Sequence, residues 1–232
     1  MSINFYEHVK KKETVLNPNY NSHGLNVPFR MLIAAPSGAG KSNFCLNLIH
    51  SMDKTFHEII ICVKSADEPL YDFLSNKLEG MVQIYEAGEV PSLDNYSIKD
   101  EKTNKLKRRD NKQRLIVFDD LILDKKANAI AAEYYIKARK LGFSMVYIGQ
   151  SFFQIKPKMI RDNCQYFILG KNLLKKDLRL ILTCFPSELK LDDFVNLYNQ
   201  LTEEPMSCVL IDIEKRTIRR NIDLNNNELY KL

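Results

Sequence analysis

No two cysteines in this sequence of 232 residues have Cys-x-x-Cys spacing. Cys45, Cys62, Cys164, Cys184 and Cys208 are scattered along the chain, so neither a zinc site nor a dithiol redox pair is suggested. Cys45 and Cys62 lie inside apolar runs and read as small buried hydrophobes, a usage that suits a reducing compartment. The sequence also lacks any run of about 18 apolar residues, so no membrane span is expected. The stretch Met1 to His8 has no apolar core of a secretory signal. No internal repeat and no long linker interrupts the chain.

The composition is that of an ordinary globular protein, 45% hydrophobic and 27% charged, and the length is enough for one sizeable core. The net charge is +5. It is unevenly placed, because the segment from Lys99 to Arg114 holds eight basic and three acidic residues and so carries a net +5 by itself. Such a segment reads either as a solvated, mobile loop or as a patch that meets a polyanion.

Residues 1–27 are polar, carry turn signals at Asn17-Pro18-Asn19 and Ser22-His23-Gly24, and read as an extended lead-in. From residue 28 onward, short apolar runs alternate with segments of helical spacing. Phe29–Ala34, His57–Val63, Met81–Tyr85, Arg114–Phe118, Phe143–Gly149 and Gln165–Leu169 read as strands. Ser42–His50, Asp67–Leu78, Asn128–Lys140, Lys158–Cys164, Lys175–Thr183 and Leu191–Leu201 read as helices. Ala87–Gln113 reads as loop, with 99–113 its basic part. Ser207–Ile213 and Thr217–Asn221 read as a C-terminal β-hairpin turning at Glu214-Lys215-Arg216. The alternation implies a single α/β domain over 28–232, a mostly parallel central sheet with helices on both faces.

The chemistry centres on Ala35-Pro36-Ser37-Gly38-Ala39-Gly40-Lys41-Ser42, a P-loop pattern with Ala35 in the place of the first glycine. Gly38 and Gly40 permit the backbone angles that turn successive N–H groups toward phosphate oxygens. The helix that begins near Lys41 adds its positive end. Pro36, Ser37, Gly38, Ala39, Gly40, Lys41, Ser42 and Asn43 are therefore expected to hold a nucleoside triphosphate, most simply ATP. Lys41 reaches the terminal phosphates, and the Ser42 hydroxyl is a hard ligand for Mg²⁺. Leu115-Ile116-Val117-Phe118-Asp119-Asp120 delivers a carboxylate at the end of a buried strand, which suits Asp119 to the Mg²⁺ shell. Asp120 could polarise the attacking water with a shorter arm than the usual Glu, or simply cap the turn. Gln150 leaves the next strand, where an amide can contact a γ-phosphate or orient water. Arg139, just ahead of that strand, reads as a surface arginine in a last helical turn or as an arginine finger acting on a neighbour's nucleotide.

Taken together, Pro28 to Ile33, Ile116 to Asp120 and Ala138 to Ser151 resemble the poxvirus-type genome-packaging ATPases of the FtsK–HerA superfamily, over roughly Pro28 to Gly170. The resemblance implies an additional-strand P-loop fold and a homo-oligomeric ring, commonly a hexamer. Such a ring threads double-stranded DNA into a viral capsid at its portal vertex, in the host cytoplasm or viral factory or with the virion. It implies that Asp120 activates water, that Gln150 senses the γ-phosphate and that Arg139 is the finger in trans. It also implies that cationic side chains line a channel and touch phosphates of any sequence. Lys105, Lys107, Arg108, Arg109, Lys158 and Arg161 are the candidates. Other readings of the same P-loop are another DNA translocase of the superfamily, a nucleotide kinase, or a nucleotide-gated assembly protein with little turnover.

Overall fold

A computed structural model of the chain describes residues 15–65, 69–101, 106–155, 158–185, 187–225 and 228–232. After a single helical turn, α1 (Tyr20–His23), the elements run β1 (Arg30–Ala34), α2 (Lys41–Ser51), β2 (Glu58–Val63), α3 (Pro69–Lys77) and β3 (Val82–Tyr85). They continue with β4 (Ser97–Lys99), β5 (Leu106–Arg108), β6 (Arg114–Asp119), α4 (Lys125–Lys137), β7 (Phe143–Gly149), α5 (Lys158–Asp162) and β8 (Tyr166–Gly170). The chain closes with α6 (Lys175–Leu182), α7 (Leu191–Leu201), β9 (Cys208–Asp212), β10 (Thr217–Arg220) and β11 (Tyr230–Lys231).

Nine strands form one sheet in the order β11-β10-β9-β8-β1-β7-β6-β2-β3. The six from β8 to β3 are parallel, and β9, β10 and β11 extend the β8 edge antiparallel. Strand β7 lies between β1, which leads into the P-loop, and β6, which carries Asp119. This is the inserted strand that the family resemblance implies.

Both faces of five of the parallel strands, β8, β1, β7, β6 and β2, are buried, which explains their largely apolar runs; the edge strand β3 is only partly covered. Alternate residues sort into two cores. Leu32, Ile60, Ile116, Met145 and Phe167 pack with α4, α5, α6 and α7 on one face. Met31, Ile61, Val117, Ile148 and Ile168 pack with α2 and α3 on the other. The sheet is thus covered on both sides, as the pattern requires, and all five cysteines are free thiols, four of them buried. Among the described residues, no helix is long and apolar enough to cross a membrane.

Several boundaries differ from the sequence reading. Of the lead-in 1–27, residues 1–14 lie outside the described residues, and the described part is not wholly extended. It makes the turn α1, ended by Gly24 at φ 66°, and the Gln113 amide brackets Leu16 through bonds of 2.6 Å from its N–H and 2.8 Å to its carbonyl. Helix α4 starts three residues early because the Asp124 side chain caps it, accepting from the Ala127 N–H at 2.8 Å. The segment read as loop holds a 3-10 turn over Leu93–Tyr96 and an antiparallel ribbon, β4 with β5. That ribbon is three residues to a strand, and its apolar residues Ile98 and Leu106 are exposed, so no hydrophobic period marks it among the lysines. Residues 102–105, between β4 and β5 in sequence, lie outside the described residues, as do 66–68 ahead of α3. The short strand β11 was not anticipated.

Candidate functional site

Strand register brings the site residues to one level. Ala34 pairs with Gly149, and Asp119 pairs with Ile148. The residues that follow, Ala35, Gln150 and Asp120, therefore leave three adjacent strands side by side at the carboxyl edge of the sheet, where parallel sheets bind ligands. Gly38 and Gly40 have φ of 74° and 87°, angles open to glycine at no steric cost. The turn they make feeds directly into α2, whose first residue is Lys41.

A cleft of about 530 Å³ results, lined by the loop from Ser37 to Asn43 together with Lys64, Tyr71, Asp119, Asp120, Gln150 and Met206 among others. The Lys41 ammonium donates to the Pro36 carbonyl at 3.2 Å, which keeps it over the mouth of the loop. Asp119 accepts from the Tyr71 hydroxyl at 2.5 Å. Asp120 accepts from the Gln150 amide at 3.2 Å. Beneath them the Cys45 thiol is pushed up, by burial first and the Asp119 carboxylate second. The Tyr147 phenol is likewise pushed up by burial and then by Asp120 and Asp119.

Asp120 has φ 51°. Asp and Asn tolerate this left-handed region better than longer side chains do, which gives a backbone reason for Asp rather than Glu at this position. The loop beyond it is fixed by Asn128, whose amide donates to the carbonyls of Leu121, Ile122 and Asp124 at 2.8–3.1 Å. Tyr147 holds Asn128 in turn at 2.6 Å. The loop after Gln150 is fixed by buried Asp177, which accepts from the Ser151 hydroxyl at 2.8 Å and the Phe153 N–H at 2.7 Å.

The alanine that replaces the first glycine of the loop also has a structural account. A side chain at Gly170, on the neighbouring β8, would come within 2.5 Å of the Ala35 Cβ. The methyl of Ala35 takes up space that a missing side chain on β8 leaves.

The hard oxygens of Ser42 and Asp119 face a common cleft and fit Mg²⁺, which takes few protein ligands and completes its shell with phosphate and water. Among the described residues no group of three or more His, Cys, Asp and Glu side chains forms a metal cage.

Arg139 lies elsewhere. It is exposed on the 3-10 turn Ala138–Leu141 ahead of β7, at the opposite end of a seven-residue strand from Gln150, about 20 Å away at strand rise. There it lines a second cleft, of about 500 Å³, with Arg108 and Lys140. Arg30, half-buried nearby, is held below its usual range by burial and then by Arg139. Of the other basic candidates, Lys105 lies outside the described residues, Lys107 pairs with Asp100 and Arg109 is exposed at the end of β5. Lys158 and Arg161 sit on α5, the first 3.9 Å from Asp162 and the second over the Phe152 ring. The sequence reading missed Tyr71 and Met206, which no local motif marks.

A family model described as Poxvirus A32 protein matches residues 18–215. No curated protein matches the chain. Among solved structures, the chain is similar to the genome packaging NTPase B204 from Sulfolobus turreted icosahedral virus 2 in complex with sulfate. The TM-score is 0.58 and the identity 13%, over 85% of this chain and 97% of that one. It is also similar to EssC (ATPases 2 and 3) from Geobacillus thermodenitrificans, with TM-score 0.53 and 12% identity over 88% of this chain. The cytoplasmic domain of the type VII secretion ATPase EccC of Thermomonospora curvata gives TM-score 0.53 and 14% identity over 84%. The chain spans 40% of the EssC chain and 25% of the EccC chain. At these identities the likeness is one of fold.

Proposed function

The chain belongs to the Poxvirus A32 protein family, and on that premise we propose that it is an ATP-hydrolysing motor that moves double-stranded DNA into a viral capsid. The observation that carries the reading is the convergence of the Lys41 loop, Asp119, Asp120 and Gln150 from three adjacent strands on one cleft. The loop N–H groups and Lys41 would cradle the β- and γ-phosphates. Ser42 and Asp119 would hold magnesium, which when bound neutralises developing charge on those oxygens. Asp120 would accept the proton of the attacking water, and its bond to Gln150 would keep the carboxylate and amide at the γ-phosphate together.

Arg139, about 20 Å from its own cleft at strand rise, is too far to act in cis; in the ring that the family reading brings with it, it would act at a neighbour's cleft. A hexamer and a capsid or portal vertex as the docking partner follow from the same family reading. The basic groups of β5 and α5 are our DNA-contact candidates, acting on phosphates without regard to sequence.

The test is ATPase activity with and without double-stranded DNA at low salt. DNA is expected to stimulate hydrolysis in the wild type, and Lys41→Ala and Asp119→Ala are expected to abolish it. Robust hydrolysis indifferent to DNA would overturn the translocase reading. Tight ATP binding with negligible turnover, even with DNA and assembled rings, would instead point to a nucleotide-gated assembly protein.

A further inference from the structure

Buried tyrosines need a partner for the hydroxyl, and in this fold most find a structural one. Tyr134 donates to the Pro91 carbonyl, Tyr135 to that of Met31 and Tyr198 to that of Gly170. Tyr71 differs. Its side chain is fully buried in the α2–α3 core, yet its hydroxyl donates at 2.5 Å to Oδ2 of Asp119, a carboxylate that lines the phosphate cleft. We propose that Tyr71 is a positioning residue for the magnesium site. It holds Oδ2 of Asp119 so that Oδ1 is the oxygen presented to the metal shell beside the Ser42 hydroxyl. The proposal rests on the reading of Asp119 as a magnesium ligand.

The physical case has three parts. A hydrogen bond to an ionised acceptor is roughly twice as strong as a neutral one, so it can fix the carboxylate torsion against thermal rotation. The floor of the site is apolar, with buried Cys45 close enough to Asp119 for the carboxylate to push its thiol up. And the donor is neutral, so it orients the carboxylate without cancelling the charge that attracts the cation. Outer-shell partners of this kind change metal affinity on the order of 10–100-fold when removed. Tyr71 also stands on α3, just beyond Lys64 and Ser65, which line the same cleft after β2.

Tyr71→Phe removes the hydroxyl and keeps the ring. The measurement is Mn²⁺ binding to the full chain, followed by electron paramagnetic resonance in the presence of a non-hydrolysable ATP analogue. The affinity of the same analogue in EDTA and the melting temperature are measured in parallel. The variant is expected to bind Mn²⁺ about tenfold or more weakly, with the metal-free analogue affinity and the melting temperature near wild type. Leu74→Ala, a packing change on the same helix, is expected to lower the melting temperature and leave metal affinity unchanged. The proposal is overturned if Tyr71→Phe binds Mn²⁺ within twofold of wild type, or if Leu74→Ala weakens the metal equally. Asp119→Ala separates the two levels of the argument. If it binds Mn²⁺ like wild type, the assignment of Asp119 as a ligand has failed. If it loses Mn²⁺ while Tyr71→Phe does not, only the role of Tyr71 has failed.

Discussion

Replacing Gly170 by alanine tests how the sheet sets the shape of the phosphate loop. A Cβ at this position would lie 2.5 Å from the Ala35 Cβ and 2.8 Å from the Phe44 ring edge. The first contact is the more severe, because Ala35 is tied to backbone at the start of the loop and has no torsion with which to retreat. Phe44 is the far end of a side chain and can yield. Forcing a methyl into a packed core costs about 1–3 kcal/mol, and for a chain of this length each kcal/mol lowers the melting temperature by about 2–4 °C. The backbone that must give way is that of the loop, so nucleotide affinity is expected to fall with stability. Ala35→Gly removes the opposing methyl. In the double variant Ala35→Gly/Gly170→Ala a coupling of about 0.5–3 kcal/mol is expected, in the direction of rescue. The assay is thermal unfolding of all four proteins, with binding of a fluorescent ATP analogue. Unchanged stability in Gly170→Ala, or strict additivity in the double variant, would refute the reasoning.

Asp120→Asn keeps a residue that tolerates φ 51° but cannot take up a proton, so single-turnover hydrolysis should fall on the order of 10²–10⁴-fold with nucleotide binding retained. Arg114 is buried between Glu58 at 2.6 Å and Asp110 at 2.6 Å, over the Tyr96 ring. Arg114→Met leaves both partly exposed carboxylates without it and is expected to cost about 1–3 kcal/mol, read from the urea midpoint. Asp177→Ala strips the acceptor from Ser151 and Phe153. It is expected to cost about 1–3 kcal/mol and to lower turnover more than nucleotide affinity, because the freed loop follows Gln150. Burial, then Arg219 and Lys215, lower His23 to about 4. Its folded value is below its unfolded one, so its contribution is full above about 6.5 and is lost as pH falls through about 4. The loss amounts to about 3 kcal/mol. His23→Asn should flatten the fall in urea midpoint between pH 7 and pH 4.

The sequence by itself determined the features that are local. The P-loop is eight consecutive residues whose glycines, lysine and serine act through one turn and the helix it opens. The inner parallel strands could be read because burial on both faces leaves a nearly continuous apolar run. The C-terminal hairpin could be read because the polar residues Glu214-Lys215-Arg216 follow one largely apolar run, Cys208 to Ile213, and precede a second short segment opened by Thr217 and Ile218. The β4–β5 ribbon and the one-turn α1 stayed hidden, because three or four residues carry too little periodicity to stand out from polar surroundings. Register alone decided that Asp120 and Gln150 are within hydrogen-bonding distance, since they lie 30 residues apart and meet only because β6 and β7 are neighbours. The tertiary structure also decided that Arg139 lies at the other end of β7 from the P-loop cleft, lining a second cleft. It showed that Ala35 fits the loop because β8 ends in Gly170, and that Tyr71, 48 residues before Asp119, donates to it. The residue type needed at each of these positions is set by a partner distant in sequence, so no local pattern announces it.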